Sequence, residues 1–468
     1  LRIGFVSLGC PKNLVDSEVM LGYLCVRGHQ ITRDLNRAEV VVVNTCAFIE
    51  EAAQESTDAI LEMAALKQAG RLRRLIVTGC LVERYREQIR EQIPEVDEVL
   101  DTSQLEQIAA ACEGRPTFPA MAPYLYDERK PRVLATPPHY AYIKIAEGCD
   151  HSCSFCIIPQ LRGRYRSRRL ESVVAEATAL FARGVREIIL VAQDTTCFGE
   201  DLGLRDGLAQ LLERLGAIEA PGERWVRVLY AYPNRITSRL LEVMAAQRRV
   251  VPYLDLPLQH ASQAVLRRMR RGGSGEKFLR LIERIRRAVP GIALRSTFIV
   301  GFPGETERDF EELCQFLEAA KLEHVGVFEY SDEDEAPSSR LSGKVDRRTI
   351  YSRRRRLMAL QRRISRALNR SLIGRELPVL VEGYISQTPP AWQGRLPTQA
   401  PEIDGVCLIN AAEGEPPAAG QIRRLRVTEA HEYDVVGTLT GGEESAECDR
   451  VLPAGASSCR VQRESIQL

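Results

Sequence analysis

Along the first 112 residues, short β-branched runs alternate with stretches whose apolar positions recur at helical spacing. The runs are Ile3–Leu8, Val40–Asn44 and Leu75–Thr78; the helical stretches are Asp16–Arg27, Ala52–Ala69, Val82–Gln92 and Gln104–Cys112. Buried strands alternating with helices predict a parallel, doubly wound sheet. Prolines then crowd residues 114–138, the composition of an extended linker. A second βα series begins at Tyr140, with strands expected at Tyr140–Ala146, Glu187–Ala192, Trp225–Tyr230, Tyr253–Leu258, Ile292–Val300 and His324–Tyr330. Helical stretches such as Glu171–Arg183 and Glu307–Ala320 lie between them. Six strands suit a partial, open TIM-like (β/α)6 barrel better than a closed one of eight. After residue 370 the texture changes to short strands between Gly and Pro: Pro378–Glu382, Gly405–Asn410, Ile422–Glu429 and Asp434–Leu439. They predict a small antiparallel β-barrel. The Gly/Ser/Glu-rich residues 441–468 are expected to be disordered. The fold class is therefore α/β, with domains at 1–113, 139–370 and 371–440.

Charge and composition narrow the function classes. Among 468 residues, 64 Lys and Arg balance 63 Asp and Glu, so net charge marks neither a nucleic-acid nor a membrane partner. No apolar run approaches the roughly 18–20 residues of a membrane helix, and the N-terminus lacks the order of a signal peptide. A cytoplasmic location is expected, where 13 cysteines point to metal or catalytic use. Arg347 to Arg370 holds ten arginines and no acidic residue, with Ile350, Leu357, Leu360, Ile364 and Leu368 predicted to face inward. It reads as a solvated basic face, with RNA or an acidic partner as the alternative. Arg162, Arg164, Arg166, Arg168 and Arg169 form a second cluster, either a phosphate site or a salt-bridged surface.

The chemistry concentrates in Glu147-Gly148-Cys149-Asp150-His151-Ser152-Cys153-Ser154-Phe155-Cys156. Three thiolates on one tight loop can hold three irons of a cubane cluster and leave the fourth open. Zinc would want a fourth ligand; His151 is the only local competitor and sits too close in sequence for good tetrahedral geometry. Three further cysteines each end a predicted parallel strand: Cys10 after Val6–Gly9, Cys46 after Val42–Thr45 and Cys80 after Ile76–Gly79. Such strand ends meet at one sheet edge, where ligands bind, so these thiols converge into a second three-ligand set unless one or more is a buried, inert cysteine. Cys25, Cys112 and Cys314 fall in helical patterns and are assigned to the core.

The Cys149–Cys156 segment resembles the signature of the radical S-adenosylmethionine superfamily. The resemblance implies that the open iron chelates the amino and carboxylate groups of S-adenosylmethionine. It also implies that the reduced cluster cleaves the sulfonium to a 5′-deoxyadenosyl radical, with Phe155 near the adenine. Gln193 and Asp194, closing the second strand, then become candidate cofactor contacts. So do Arg295 and, in the fifth strand-end turn, Gly301, where backbone could approach the ligand; Glu305 is expected to cap the next helix.

Two three-cysteine sets, a middle radical domain and a terminal small barrel together resemble the methylthiotransferases over roughly residues 1–440. The resemblance implies two [4Fe–4S] clusters, the N-terminal one carrying sulfur. Gly9-Cys10-Pro11-Lys12-Asn13-Leu14-Val15-Asp16-Ser17-Glu18, Ala192–Thr196, Tyr253–Ser262 and Ala400–Gly405 resemble the RimO branch. That branch modifies an aspartate of small-subunit ribosomal protein S-twelve, with an electron donor such as flavodoxin or ferredoxin. The small barrel resembles a TRAM domain, usually an RNA-binding module. Residues 371–440 hold five Arg against nine Asp or Glu, a net −4, which suits a basic protein better than RNA. A tRNA adenosine is the second candidate substrate, and a non-catalytic iron–sulfur or RNA-binding scaffold the third reading.

Overall fold

The computed structural model describes residues 1–120, 122–387, 390–410 and 416–440; residues 441–468, with Cys448 and Cys459, lie outside the described residues. In the N-terminal domain β1 (Arg2–Ser7), β2 (Gln30–Thr32), β3 (Val40–Thr45), β4 (Arg74–Gly79) and β5 (Glu98–Leu100) form a parallel sheet in the order β2-β1-β3-β4-β5. The side chains of β3 explain its double winding. Val40 and Val42 pack with Met20, Leu24 and Ile108 on one face. Val41 and Val43 pack with Ile60, Met63 and Leu81 on the other.

The middle domain starts with β6 (Tyr140–Lys144), followed by β7 (Ala146–Glu147) and β8 (Arg166–Ser167), a two-stranded ribbon that brackets the Cys149–Cys156 loop. Then come β9 (Glu187–Val191), β10 (Trp225–Val228), β11 (Val250–Asp255), β12 (Ala293–Val300) and β13 (His324–Glu329). The six long strands pair in parallel in chain order, β6-β9-β10-β11-β12-β13, giving the open half-barrel. Helix Arg347–Arg370 packs on its end through buried Ile350, Leu357 and Leu360. In the small domain β14 (Glu376–Gln387), β15 (Pro390–Arg395), β16 (Cys407–Asn410), β17 (Ile422–Ala430) and β18 (Val435–Leu439) close a barrel. One pair, β16 with β18, is parallel, so the barrel is not antiparallel throughout.

The three domains share a core. The concave face of the half-barrel buries Tyr142, Ile189, Trp225 and Tyr253 together with Leu14, Val15 and Val19 of helix Pro11–Val26 and Leu380 and Ala400 of the small barrel. The small barrel docks along the first halves of the strands. There Arg395 donates to Glu187 at 2.6 Å and to Glu382 at 2.6 Å, and Arg227 to the other Glu187 oxygen at 2.6 Å. Tyr140 and Tyr253 donate to Glu402 (2.8 Å) and Asp404 (2.7 Å). Three of the nine acidic residues behind the charge argument thus face this seam, which removes much of the acidic surface expected for a basic partner.

Residues 114–138 contain no helix or strand among those described, yet they are held firmly rather than strung as a spacer. Arg132 bridges buried Glu18 (2.5 Å) and Glu176 (2.5 Å), joining helix Pro11–Val26 to helix Leu170–Ala182. Tyr126 beneath it is 2 % exposed. No helix among the described residues is long and apolar enough to cross a membrane.

Candidate iron–sulfur and substrate site

The sheet order β2-β1-β3-β4-β5 reverses between β1 and β3, the place where open α/β sheets bind ligands. Cys10 follows β1, Cys46 follows β3 and Cys80 opens the helix after β4. Asn13 ties the gap together, its amide donating to the carbonyls of Leu8 (2.6 Å) and Thr45 (3.2 Å). Asn44 donates to the Asn13 carbonyl (3.0 Å) and to Ser17 (2.8 Å). Gly9 has φ +93°, and a Cβ there would stand 2.9 Å from the Cys46 sulfur, so only glycine admits that thiol. The three thiols are near enough to perturb one another's ionisation. Burial pushes Cys80 up to about 12, against the Arg162 charge. Burial also opposes ionisation of Cys10, but Lys12 and Arg162 prevail and hold it below the usual thiol range.

The second set sits at the carboxyl end of the half-barrel. Cys149 accepts from the His151 N–H (3.4 Å), Cys156 from the Ile158 N–H (3.5 Å) and Cys153 from Arg271 (3.5 Å). Burial raises Cys149 to about 11 and Cys156 to about 12 in the metal-free chain. Among the described residues, the set whose His, Cys or carboxylate ligand atoms all lie within 4.8 Å of one another is His151, Asp194 and Cys197. His151 is paired with Asp194 at 2.6 Å and stacked on Tyr232 at 4.0 Å.

A buried ion cluster joins the two sets. Arg162 donates to Cys80 (3.3 Å), Asp16 (2.7 Å) and Asn13 (3.1 Å) of the N-terminal domain and to Glu147 (3.4 Å), two residues before Cys149. Lys144 bridges Asp16 and Glu147 as well. Burial would raise Glu147, but Lys144 and Arg162 hold its carboxyl at about 2. Arg168 is likewise buried against Glu176 (2.5 Å). Both arginines are buried structural cations, Arg162 paired with Asp16 from the other domain and Arg168 with Glu176 from the next helix, and the phosphate-site reading fails for them.

The other candidate contacts divide. Gln193 donates to Glu147 (2.7 Å) and leaves its buried carbonyl oxygen without a partner, an acceptor that fits a ligand's ammonium. Phe155 is half-buried against the barrel core. Asp194 spends both oxygens on His151, Cys197 and Thr196, so its local role is to orient His151. Arg295 is committed to Asp255 (3.0 Å) and Asp404 (3.5 Å), a barrel salt bridge. Gly301 has φ +81°, and a Cβ would meet Ile350 at 2.3 Å; the glycine admits helix Arg347–Arg370, not a ligand. Glu305 does not cap the next helix, since Thr306 and Asp309 form that box; it accepts from the Gly301 N–H (2.7 Å) and pairs with Arg353 (2.9 Å). Sequence reasoning assigned no roles to Asp16, Lys144, Glu147, Arg271 and Tyr230. The available signal was Lys144, a cation ending an otherwise apolar buried strand.

Comparison with known proteins agrees with this geometry. Residues 143–317 match the Radical SAM superfamily, residues 2–101 the Uncharacterized protein family UPF0004 and residues 373–440 the TRAM domain. The fold is similar to that of a radical S-adenosylmethionine methyltransferase, TsrM, from Kitasatospora setae (TM-score 0.50, 16% identity, 70% of this chain and 72% of that one). A protein named ribosomal protein uS12 methylthiotransferase RimO from Solibacter usitatus is 60% identical over 99% of both chains. Its namesakes from Koribacter versatilis (94% of this chain, 96% of that one) and Geobacter sulfurreducens (94% and 98%) are 52% and 46% identical. With that identity over nearly the whole length, the chain belongs to the RimO family of radical S-adenosylmethionine methylthiotransferases.

Proposed function

We propose that this chain adds a methylthio group to the β-carbon of an aspartate in ribosomal protein uS12. The observation that carries the reading is the pair of three-thiol sets facing each other across one buried ion cluster, with Arg162 touching Cys80 while pairing the carboxylate beside Cys149. Cys10, Cys46 and Cys80 would hold one [4Fe–4S] cluster, and Cys149, Cys153 and Cys156 the other, each with an open iron. S-adenosylmethionine, when bound, supplies the methyl group and the hydrogen-abstracting radical. The chain's own residues position and shield. Gln193 offers its free carbonyl to the cofactor's amino end, and Arg271 places a guanidinium against Cys153 and the Tyr232 ring. The shared apolar core closes the lumen beneath. A cytoplasmic enzyme served by a flavodoxin or ferredoxin fits this chemistry.

Mass analysis of uS12 and of tRNA nucleosides from a deletion strain tests the substrate. Loss of the methylthio mass from uS12 is expected; loss of a methylthio-adenosine with uS12 unchanged overturns the reading in favour of tRNA. Anaerobic iron analysis tests the sites. Replacing either cysteine triad by Ala should leave one cluster's iron, and only the Cys149, Cys153 and Cys156 triad should be needed for 5′-deoxyadenosine formation.

A further inference from the structure

The seam between the two thiol sets buries three cations, Lys12, Lys144 and Arg162, against two carboxylates, Asp16 and Glu147. Asp16 and Glu147 are matched by Lys144 and Arg162, with Gln193 on the remaining Glu147 oxygen. Lys12 is also buried, 9 % exposed, but no Asp or Glu oxygen among the described residues lies within the 4.0 Å of an ion pair. Its ammonium rests instead on the face of the Tyr230 ring, 3.5 Å from the centroid. The anion nearest it in sequence is the Cys10 thiol two positions earlier; an ammonium buried on an aromatic face still has no carboxylate of its own, a setting that favours a carboxylate ligand.

Tyr230 is unusual in its own right. It stands just beyond the carboxyl end of β10 with φ +59°, a strained conformation for an aromatic residue, and its N–H is held by Asp255 at 3.0 Å. Strain of this kind persists where surrounding structure requires a side chain in one place. Here that place is the floor under Lys12. Helix Pro11–Val26 begins directly after Cys10, so the ammonium is fixed between the N-terminal thiols and the barrel mouth.

We propose that Lys12, seated on Tyr230, binds the side-chain carboxylate of the substrate aspartate and so selects an acidic residue as the target. The inference rests on the uS12 reading above. In that substrate the reacting β-carbon is bonded to the carboxylate carbon, so gripping the carboxylate also places the carbon between the two thiol sets. A neutral adenine would offer the ammonium no carboxylate to pair with.

The test is binding of full-length uS12, and of uS12 with Asn in place of the modified Asp, to the reconstituted holoenzyme under anaerobic conditions. Wild-type enzyme should prefer the aspartate form by about 10- to 100-fold. Lys12→Met should bind both forms equally, and Lys12→Arg should retain part of the preference. Equal binding of both forms by wild type, or an undiminished preference in Lys12→Met, overturns the proposal. So does a Lys12→Met enzyme that loses iron or changes the electron-paramagnetic signature of the N-terminal cluster while keeping the preference, because Lys12 then serves the cluster. Wild-type enzyme that binds neither form, with no methylthio mass on cellular uS12, instead sinks the substrate assignment itself.

Discussion

Replacing Arg395 by Met should detach the small barrel energetically without touching either thiol set. Arg395 is 1 % exposed and joins Glu187 of the half-barrel to Glu382 of the small barrel. Burial would raise Glu382, but the His139 ring nitrogen 3.5 Å away and the paired charge of Arg395 hold it at about 2, against an ordinary 4.5. At 1.36 kcal/mol per unit that difference corresponds to about 3.4 kcal/mol of folded-state stabilisation. His139 keeps part of it, so the lost share at Glu382 is about 1–2 kcal/mol. Glu187, fully buried, keeps only Arg227; stranding part of a buried pair brings the expected loss to about 3–5 kcal/mol. The chain's two tryptophans divide the assay between domains, Trp225 in β10 and Trp392 in β15. Urea titrations of single-tryptophan variants should give coincident transitions with Arg395 present. In Arg395→Met the Trp392 transition should come earlier. Because Glu382 sits below its unfolded value, the deficit is complete above pH 4.5 and fades as the pH falls toward 2. Coincident transitions within about 0.5 kcal/mol of wild type at pH 7 would refute the reasoning.

Arg162→Leu strands Asp16 and Glu147 with Lys144 alone and should cost about 3–5 kcal/mol in chemical denaturation of the apoprotein; Arg162→Lys should recover part of the loss. Gly301→Ala should lower stability by about 1–3 kcal/mol through its positive φ and the clash with Ile350. Adding Ile350→Ala should relieve the clash but not the backbone strain, a partial rescue visible in thermal melts. Glu18→Gln should weaken the Arg132 clamp, seen as faster proteolysis within residues 122–138 at unchanged iron content.

The cysteine sets were legible because each thiol follows a short β-branched strand, and chain direction alone brings such ends together. Strand limits in the half-barrel shifted by only a few residues, since buried parallel strands advertise themselves as continuous apolar runs. The short edge strands did not, since β2 and β5 have only three residues each, and neither did β15 of the small barrel, which begins at Pro390 without clear alternation. The firmness of residues 122–138 was invisible because Arg132 finds Glu18 across 114 positions. Counting charges in 371–440 likewise could not reveal that Glu382, Glu402 and Asp404 point into a seam. Local patterns encode elements; pairings over long separations decide what charges are for.

Docking of the small barrel along the first halves of the strands, with both thiol sets at their far ends, turns the half-barrel into a ruler. Strands of five to eight residues (β6 and β12, for instance) rise about 3.3 Å per residue, so the two ends stand about 16–26 Å apart. A lone nucleotide, or a peptide of only about two or three residues, cannot grip one end while reacting at the other. Whatever engages both must span that distance, and its reach, as much as any local sequence, would decide which residue arrives at the thiols.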